Sequence, residues 1–245
     1  MSTDAPLRVH LVRHGKIESH RGDMPLTDEG LRQAEAFGQR LNEELVIGEV
    51  VSFLYAPTRR ARETTETIYN ALRITSGYAD SRQTQLLAPV EHCALRNPDI
   101  YVAGSRIELV STPEAVAEQL PETGLSPQEL ARLPFLHGFW GDPDRIGYWV
   151  NHPNPPGEDA DTVARRLLTF AVSLLDLPRR QPGRYICVTH SPVLRAFLRR
   201  YLVGHDPGEP DYLEAVDLHF APDGTLTLRF RERVRSAVWK PSLQV

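Results

Sequence analysis

The strongest constraint on the fold is a pair of short apolar runs, Leu7 to Val12 and Tyr185 to Thr189, each ending at a histidine. A strand that is apolar at nearly every position has no solvated face. It belongs in the middle of a parallel sheet covered on both sides. The chain leaves the first run through Arg13-His14-Gly15 and the second through His190-Ser191-Pro192. Both histidines therefore stand where a buried strand gives way to a loop or helix.

The rest of the pattern agrees with an alternating α/β chain. Thr27 reads as a helix N-cap, with Asp28 and Glu29 in the first turn, where negative charge is favoured. Leu31, Ala34, Phe37 and Leu41 follow at helical spacing. Val50 to Tyr55 is another apolar strand. Pro57 opens a helix with Ala61, Thr65, Ile68 and Leu72 on one face. Asp161 to Leu177 reads as a helix, and Ser191-Pro192 starts one that runs through Tyr201. Ala215 to Phe220 and Thr225 to Phe230 flank Pro222-Asp223-Gly224, a hairpin signal. The expected fold is a three-layer α/β/α sandwich with a mostly parallel central sheet and an antiparallel edge.

Residues 98–153 break this rhythm. They hold a capping box, Ser126 to Glu129, and a cluster of Phe135, Phe139, Trp140, Tyr148 and Trp149 among Gly, Asp and Pro. Two compatible readings stand: a satellite core under a long loop, and a substrate lid with an aromatic-lined pocket. Residues 1–245 are expected to form one domain with this segment inserted.

A net charge of −4 argues against general nucleic-acid binding, but a local arginine cluster can still hold a small anion. No run is long and apolar enough to suggest a membrane span, and the polar first residues do not resemble a signal peptide. The two cysteines, Cys93 and Cys187, lack metal-ligand spacing and fit a reducing, cytoplasmic setting. No cofactor fingerprint or metal cluster appears among the motifs, and Ser191 has no Gly-x-Ser-x-Gly surroundings that would mark a serine hydrolase.

Leu11-Val12-Arg13-His14-Gly15 is similar to the signature of the histidine phosphatase superfamily, which includes phosphoglycerate mutases and many phosphatases. The resemblance continues in order. It runs through Pro25-Leu26-Thr27-Asp28-Glu29-Gly30 with Gln33-Ala34, then Ala56-Pro57-Thr58-Arg59-Arg60-Ala61. It resumes at Pro155-Pro156-Gly157-Glu158 and at Val188-Thr189-His190-Ser191, framing residues 7–200. Several ordered motifs are far more specific than one Arg-His-Gly string. The resemblance implies that His14 takes up a phosphoryl group, that Arg13 and Arg60 hold its oxygens, and that His190 donates a further hydrogen bond. A neutral imidazole is a competent nucleophile near neutral pH. Phosphoryl transfer chiefly needs charge stabilisation on the equatorial oxygens, and Ser191 opens a helix whose N–H groups attract phosphate.

Four departures from the family pattern bear on the site. Leu95-Arg96-Asn97 stands where a Leu-x-Glu string usually supplies a proton donor, and asparagine cannot serve as that acid. Glu91 is the first replacement considered, with Asp99 as another and an ordinary surface role for Glu91 left open. His20 stands in place of an asparagine that commonly binds phosphate. Ala56 replaces a serine, removing a helix cap at some expense in stability. Pro156-Gly157 carries one glycine where two are common, leaving Glu158 to orient neighbouring groups or to lie on the surface. The expected activity is phosphomonoester hydrolysis of a small phosphorylated metabolite, without a cofactor. A phosphoglycerate-mutase-like transferase and a non-catalytic phosphate-binding module remain as alternatives. A homodimer through the tail from Trp239 is also open.

Overall fold

The computed structural model describes residues 5–19, 21–76, 84–177 and 181–238. In chain order the N-terminal elements are β1 (Leu7–Arg13), α1 (Asp28–Glu44), β2 (Val50–Tyr55), α2 (Arg59–Ser76) and the short β3 (Gln85–Leu86) and β4 (Val90–Glu91). A hairpin, β5 (Ile100–Val102) and β6 (Ser105–Ile107), leads into α3 (Pro113–Ala117), α4 (Pro127–Leu130), α5 (Pro134–Gly141) and α6 (Arg145–Asn151). The chain then forms α7 (Ala160–Ser173), β7 (Gly183–Thr189), α8 (Ser191–Leu198), β8 (Ala215–Phe220), β9 (Thr225–Phe230) and β10 (Arg233–Val238). No described helix is long and apolar enough to cross a membrane.

The main sheet runs β10-β9-β8-β1-β7-β2-β3, with β4 also on β2. Strands β1, β7, β2, β3 and β4 pair in parallel, and β8, β9 and β10 form the antiparallel side. β1 and β7 are neighbours at the centre, as their unbroken apolarity requires. The helix pairs α1–α2 and α7–α8 form separate layers against the sheet. This is the mixed α/β fold expected from the sequence.

The local signals act as physical chemistry dictates. Thr27 caps α1 by accepting from the Gly30 N–H at 3.1 Å, and the Ser126–Glu129 capping box is formed on both sides. The buried stripe of α1 is Gly30, Ala34, Gly38 and Leu41, whereas Leu31 is exposed. Gly38 belongs to this stripe because the two helices touch: a Cβ there would lie 2.7 Å from the Ile68 carbonyl oxygen of α2. Both α2 and α7 begin later than expected or end sooner. α2 starts at Arg59 rather than Pro57, and α7 ends at Ser173. α8 continues into a widened π turn over Arg199–Val203.

The helix cap lost at Ala56 is replaced from elsewhere. Asp23, in the loop after β1, accepts from the Arg59 N–H with both carboxylate oxygens, at 2.8 and 2.9 Å. The first turn of α2 is thus satisfied jointly by a distant carboxylate and by Thr58, whose hydroxyl accepts from the Ala61 N–H at 3.4 Å.

Residues 98–153 pack their aromatic cluster onto the main core. Trp149 is fully buried and donates its indole N–H to the Glu158 carbonyl at 3.1 Å. Trp140 does the same to Val110 at 3.1 Å. Leu109, Val110, Ser111, Phe139, Arg145 and Ile146 of this segment wall the cavity described next.

Candidate active site

Three parallel strands deliver their carboxyl ends side by side, the usual place for a ligand in an open α/β sheet. Arg13 pairs with Thr189 in the β1–β7 register. The His14 N–H donates to the Thr189 carbonyl at 3.0 Å, and the Ala56 N–H donates to Val188 at 3.0 Å. His14, His190 and the start of α2 therefore leave the sheet at one level.

The rings of His14 and His190 lie 5.4 Å apart between centroids with their planes at 62°, and each residue is 2% exposed. His14 Nδ1 is 2.8 Å from the Gly15 carbonyl oxygen. A carbonyl only accepts, so Nδ1 carries the proton, and the lone pair of the neutral ring is on Nε2. The turn is held tightly. Gly15 donates to the Thr64 hydroxyl at 2.9 Å, and that hydroxyl donates to the Arg60 carbonyl at 2.7 Å. A Cβ at Gly15 would stand 2.9 Å from the Gly30 oxygen, so the loop sits against the start of α1 only because residue 15 has no side chain.

Both predicted arginines are buried. Arg13 donates to the Pro210 carbonyl, lies 2.8 Å from Glu209 Oε1, and stacks 4.1 Å over the Tyr212 ring. Arg60, in the first turn of α2, lies 3.5 Å from Asp23 and 3.8 Å from Glu108. Burial pushes the Arg60 guanidinium below its ordinary range, and Glu108 and Asp23 oppose that; guanidinium remains charged throughout. The Nε atoms of Arg13 and Arg60 are buried without a hydrogen-bond partner among the described residues. Buried N–H groups of this kind favour an anion that can accept from them.

His14, His190, Arg13, Arg60 and Ser191 all line one cavity of about 140 Å³. Ser191 opens α8, and its hydroxyl donates to Glu209 at 2.6 Å. The cavity also contains groups that no sequence pattern signalled. Arg145 of α6 reaches in and donates to the Ser111 carbonyl at 3.0 Å. Glu209 bridges Arg13, Ser191 and the buried Arg195, from which it is 3.3 Å away. Glu209 lies in Asp206-Pro207-Gly208-Glu209-Pro210, a loop without periodicity, so its position depends on contacts made across the fold.

The predicted carboxylates sit elsewhere. Glu91 pairs opposite Tyr55 where β4 meets β2, is exposed, and does not line the cavity. The chain turns inward only after it, and the residue reaching the cavity is Asn97. Asp99 is bound at 2.5 Å by Arg96 and also by Arg106. Burial pushes its carboxyl up, but those guanidinium bonds outweigh it and hold it down at about 2, far too acidic for a proton donor at neutral pH. Glu158 faces away from the cavity. It accepts from the Asp99 N–H at 2.9 Å and pairs with Arg96 and Arg166, each at 3.4 Å. It braces the Asn97–Asp99 turn instead of touching a phosphate. The adjoining Gly157 packs on that turn, where a Cβ would meet the Asp99 carbonyl. His20 lies outside the described residues.

With this geometry in place, likeness to known proteins is informative. The family model of the histidine phosphatase superfamily (branch 1) matches residues 9–80, the segment carrying Arg13, His14 and Arg60. No curated protein matches the chain. Among solved structures, a phosphoglycerate mutase from Bacillus anthracis str. Sterne superposes with a TM-score of 0.55 at 17% identity, over 94% of this chain and 95% of that one. A mycobacterial glucosyl-3-phosphoglycerate phosphatase complexed with VO3 gives 0.51 at 17% identity, over 96% and 99%. A structure called mycobacterial hydrolase 1 gives 0.50 at 17%, over 96% and 98%. The chain thus carries the histidine phosphatase signature and has the phosphoglycerate mutase-like fold.

Proposed function

We propose that the chain is a cofactor-independent phosphomonoester hydrolase working through a phosphohistidine at His14. The observation that carries this is the placing of two imidazoles, 5.4 Å apart, with two buried guanidinium groups in one cavity. His14 Nε2 attacks phosphorus in line with the departing oxygen. Arg13 and Arg60 hold the equatorial oxygens, where charge accumulates in the transition state. Protonated His190 donates to the same group, and Ser191 at the start of α8 adds a hydroxyl and a helix N-terminus. Water then cleaves the N–P bond and restores His14.

Hydrolysis is favoured over transfer by the wall around the leaving group. Leu109, Val110, Phe139 and Ile146 present apolar surface, which suits a small phosphorylated metabolite with a partly apolar remainder. The free Cys93 and the buried Cys187 thiol suit a reducing compartment such as the cytoplasm.

The test is phosphate release from p-nitrophenyl phosphate and from a panel of phosphorylated metabolites, with rapid quenching to trap the phosphoenzyme. The expected result is an acid-labile, alkali-stable phosphate on His14. Phosphate kept on an acceptor substrate would mark a transferase. Phosphate binding without turnover would mark a binding module.

A further inference from the structure

The motif pattern leaves this enzyme without a proton donor, because asparagine stands at 97. We infer that Glu108, at the end of the β5–β6 hairpin, is the general acid that protonates the leaving group. This rests on the phosphatase reading above. Asn97 is buried at the cavity wall, and its amide N–H donates to Glu108 Oε2 at 2.8 Å. The residue that replaces the expected acid therefore holds another carboxylate beside it. The same oxygen is 3.8 Å from Arg60, and Glu108 Oε1 accepts from Arg106 at 3.5 Å. Gln119 pins the backbone of residue 108 from both sides, accepting from its N–H at 2.8 Å and donating to its carbonyl at 3.1 Å.

Glu108 also lies on the correct side of the site. It lines a second cleft of about 340 Å³ that shares Arg60, Leu109 and Val110 with the His14 cavity. A phosphoryl group on Arg60 would bring its ester oxygen to the junction of the two, beside Glu108, with the substituent against the shared Leu109 and Val110. Three other carboxylates near the site are committed elsewhere: Asp23 caps α2, Asp99 is held ionised, and Glu209 sits on Arg13 and Ser191.

The step balances. As the His14 Nε2–P bond forms and the P–O bond to the substituent breaks, the departing oxygen takes the Glu108 proton and leaves as an alcohol. In the second half, Glu108 removes a proton from water as its oxygen bonds to phosphorus, and the N–P electron pair returns to His14.

The experiment compares kcat/KM across aryl and alkyl phosphates of graded leaving-group acidity in the wild type, Glu108→Gln and Glu108→Asp. Removal of a general acid lowers rates by about 10²–10⁴-fold where the leaving group needs a proton. The expected result is that Glu108→Gln lowers the alkyl-to-aryl ratio at least roughly 30-fold and steepens the dependence on leaving-group acidity. Glu108→Asp, which keeps the charge facing Arg60 and Arg106, should fall between. An unchanged ratio and slope in both variants overturns the assignment while leaving the phosphatase reading intact. A wild type that releases phosphate from no ester overturns both.

Discussion

Glu209 grips Arg13 from inside the anion cavity: Oε1 is 2.8 Å from the guanidinium, and Oε2 accepts from Ser191 at 2.6 Å. A carboxylate thus occupies groups that an incoming phosphate would use. Arg13 keeps its carbonyl partner Pro210 and its stacking on Tyr212 without it. Glu209→Gln is therefore expected to tighten competitive inhibition by inorganic phosphate, lowering its Ki about three- to tenfold through loss of like-charge repulsion. Steady-state inhibition at fixed ionic strength measures this.

His14→Ala should reduce turnover of p-nitrophenyl phosphate by at least about 10³-fold, since it removes the imidazole proposed to take up the phosphoryl group. The thermal melt should stay close to wild type, because the turn is also held by the bond from the Gly15 N–H to the Thr64 hydroxyl and by the His14–Thr189 backbone bond. Substantial residual turnover would remove His14 as the nucleophile.

Asp23→Ala removes the cap that α2 receives from across the fold. The loss should be about 1 kcal/mol, or about 2–4 °C in Tm for a chain of this size. Asp23→Asn, which can still accept from the Arg59 N–H, should recover most of it. Calorimetry of the two variants distinguishes capping from the pairing with Arg60.

Arg184 is fully buried in β7 and binds Glu49, itself 1% exposed, at 3.0 Å. It also donates to the Glu44 carbonyl at 3.0 Å and to His10 Nε2 at 3.1 Å. Arg184→Met leaves Glu49 as an unpaired buried charge and should destabilise by about 3–5 kcal/mol. The double variant Arg184→Met with Glu49→Leu should recover much of that, as a denaturation cycle will show.

Asp99 gives the pH dependence. Its carboxyl is held at about 2 in the folded chain against an ordinary value of 3.8. A depressed carboxyl stabilises the fold above its unfolded value, and that contribution disappears as pH falls through the folded one. Asp99→Asn should therefore melt below wild type at pH 7, with the gap closing between about pH 4 and pH 2.

The sequence reading reached the parts that short-range physics controls. Apolar runs located β1, β2 and β7, and Thr27 and Ser126 marked helix starts, because burial and capping are properties of neighbouring residues. Ala215 to Phe220 and Thr225 to Phe230 pair as the β8–β9 hairpin, Leu218 opposite Leu228, for the same reason. β10 escaped because all its residues, Arg233 to Val238, are exposed and show no alternation. Arg184 escaped because a buried charge needs partners from distant elements. Arg13, His14, Arg60 and His190 meet at one cavity because each ends or begins an element. Glu91 lies off that cavity and Asn97 on it, because sequence proximity does not reveal that the chain turns inward between them. Glu108, Glu209 and Arg145 reach the cavity only through long-range packing.

The central strand of this sheet is made first and completed last. β1 has β7 on one side and β8 on the other, so a ribosome must finish most of the chain before either edge of Leu7–Arg13 can pair. Contacts this remote slow folding and prolong the exposure of an oily segment. Nascent chains released before residue 189 should thus be aggregation-prone and devoid of the histidine pair, making early termination products a hazard to the cell.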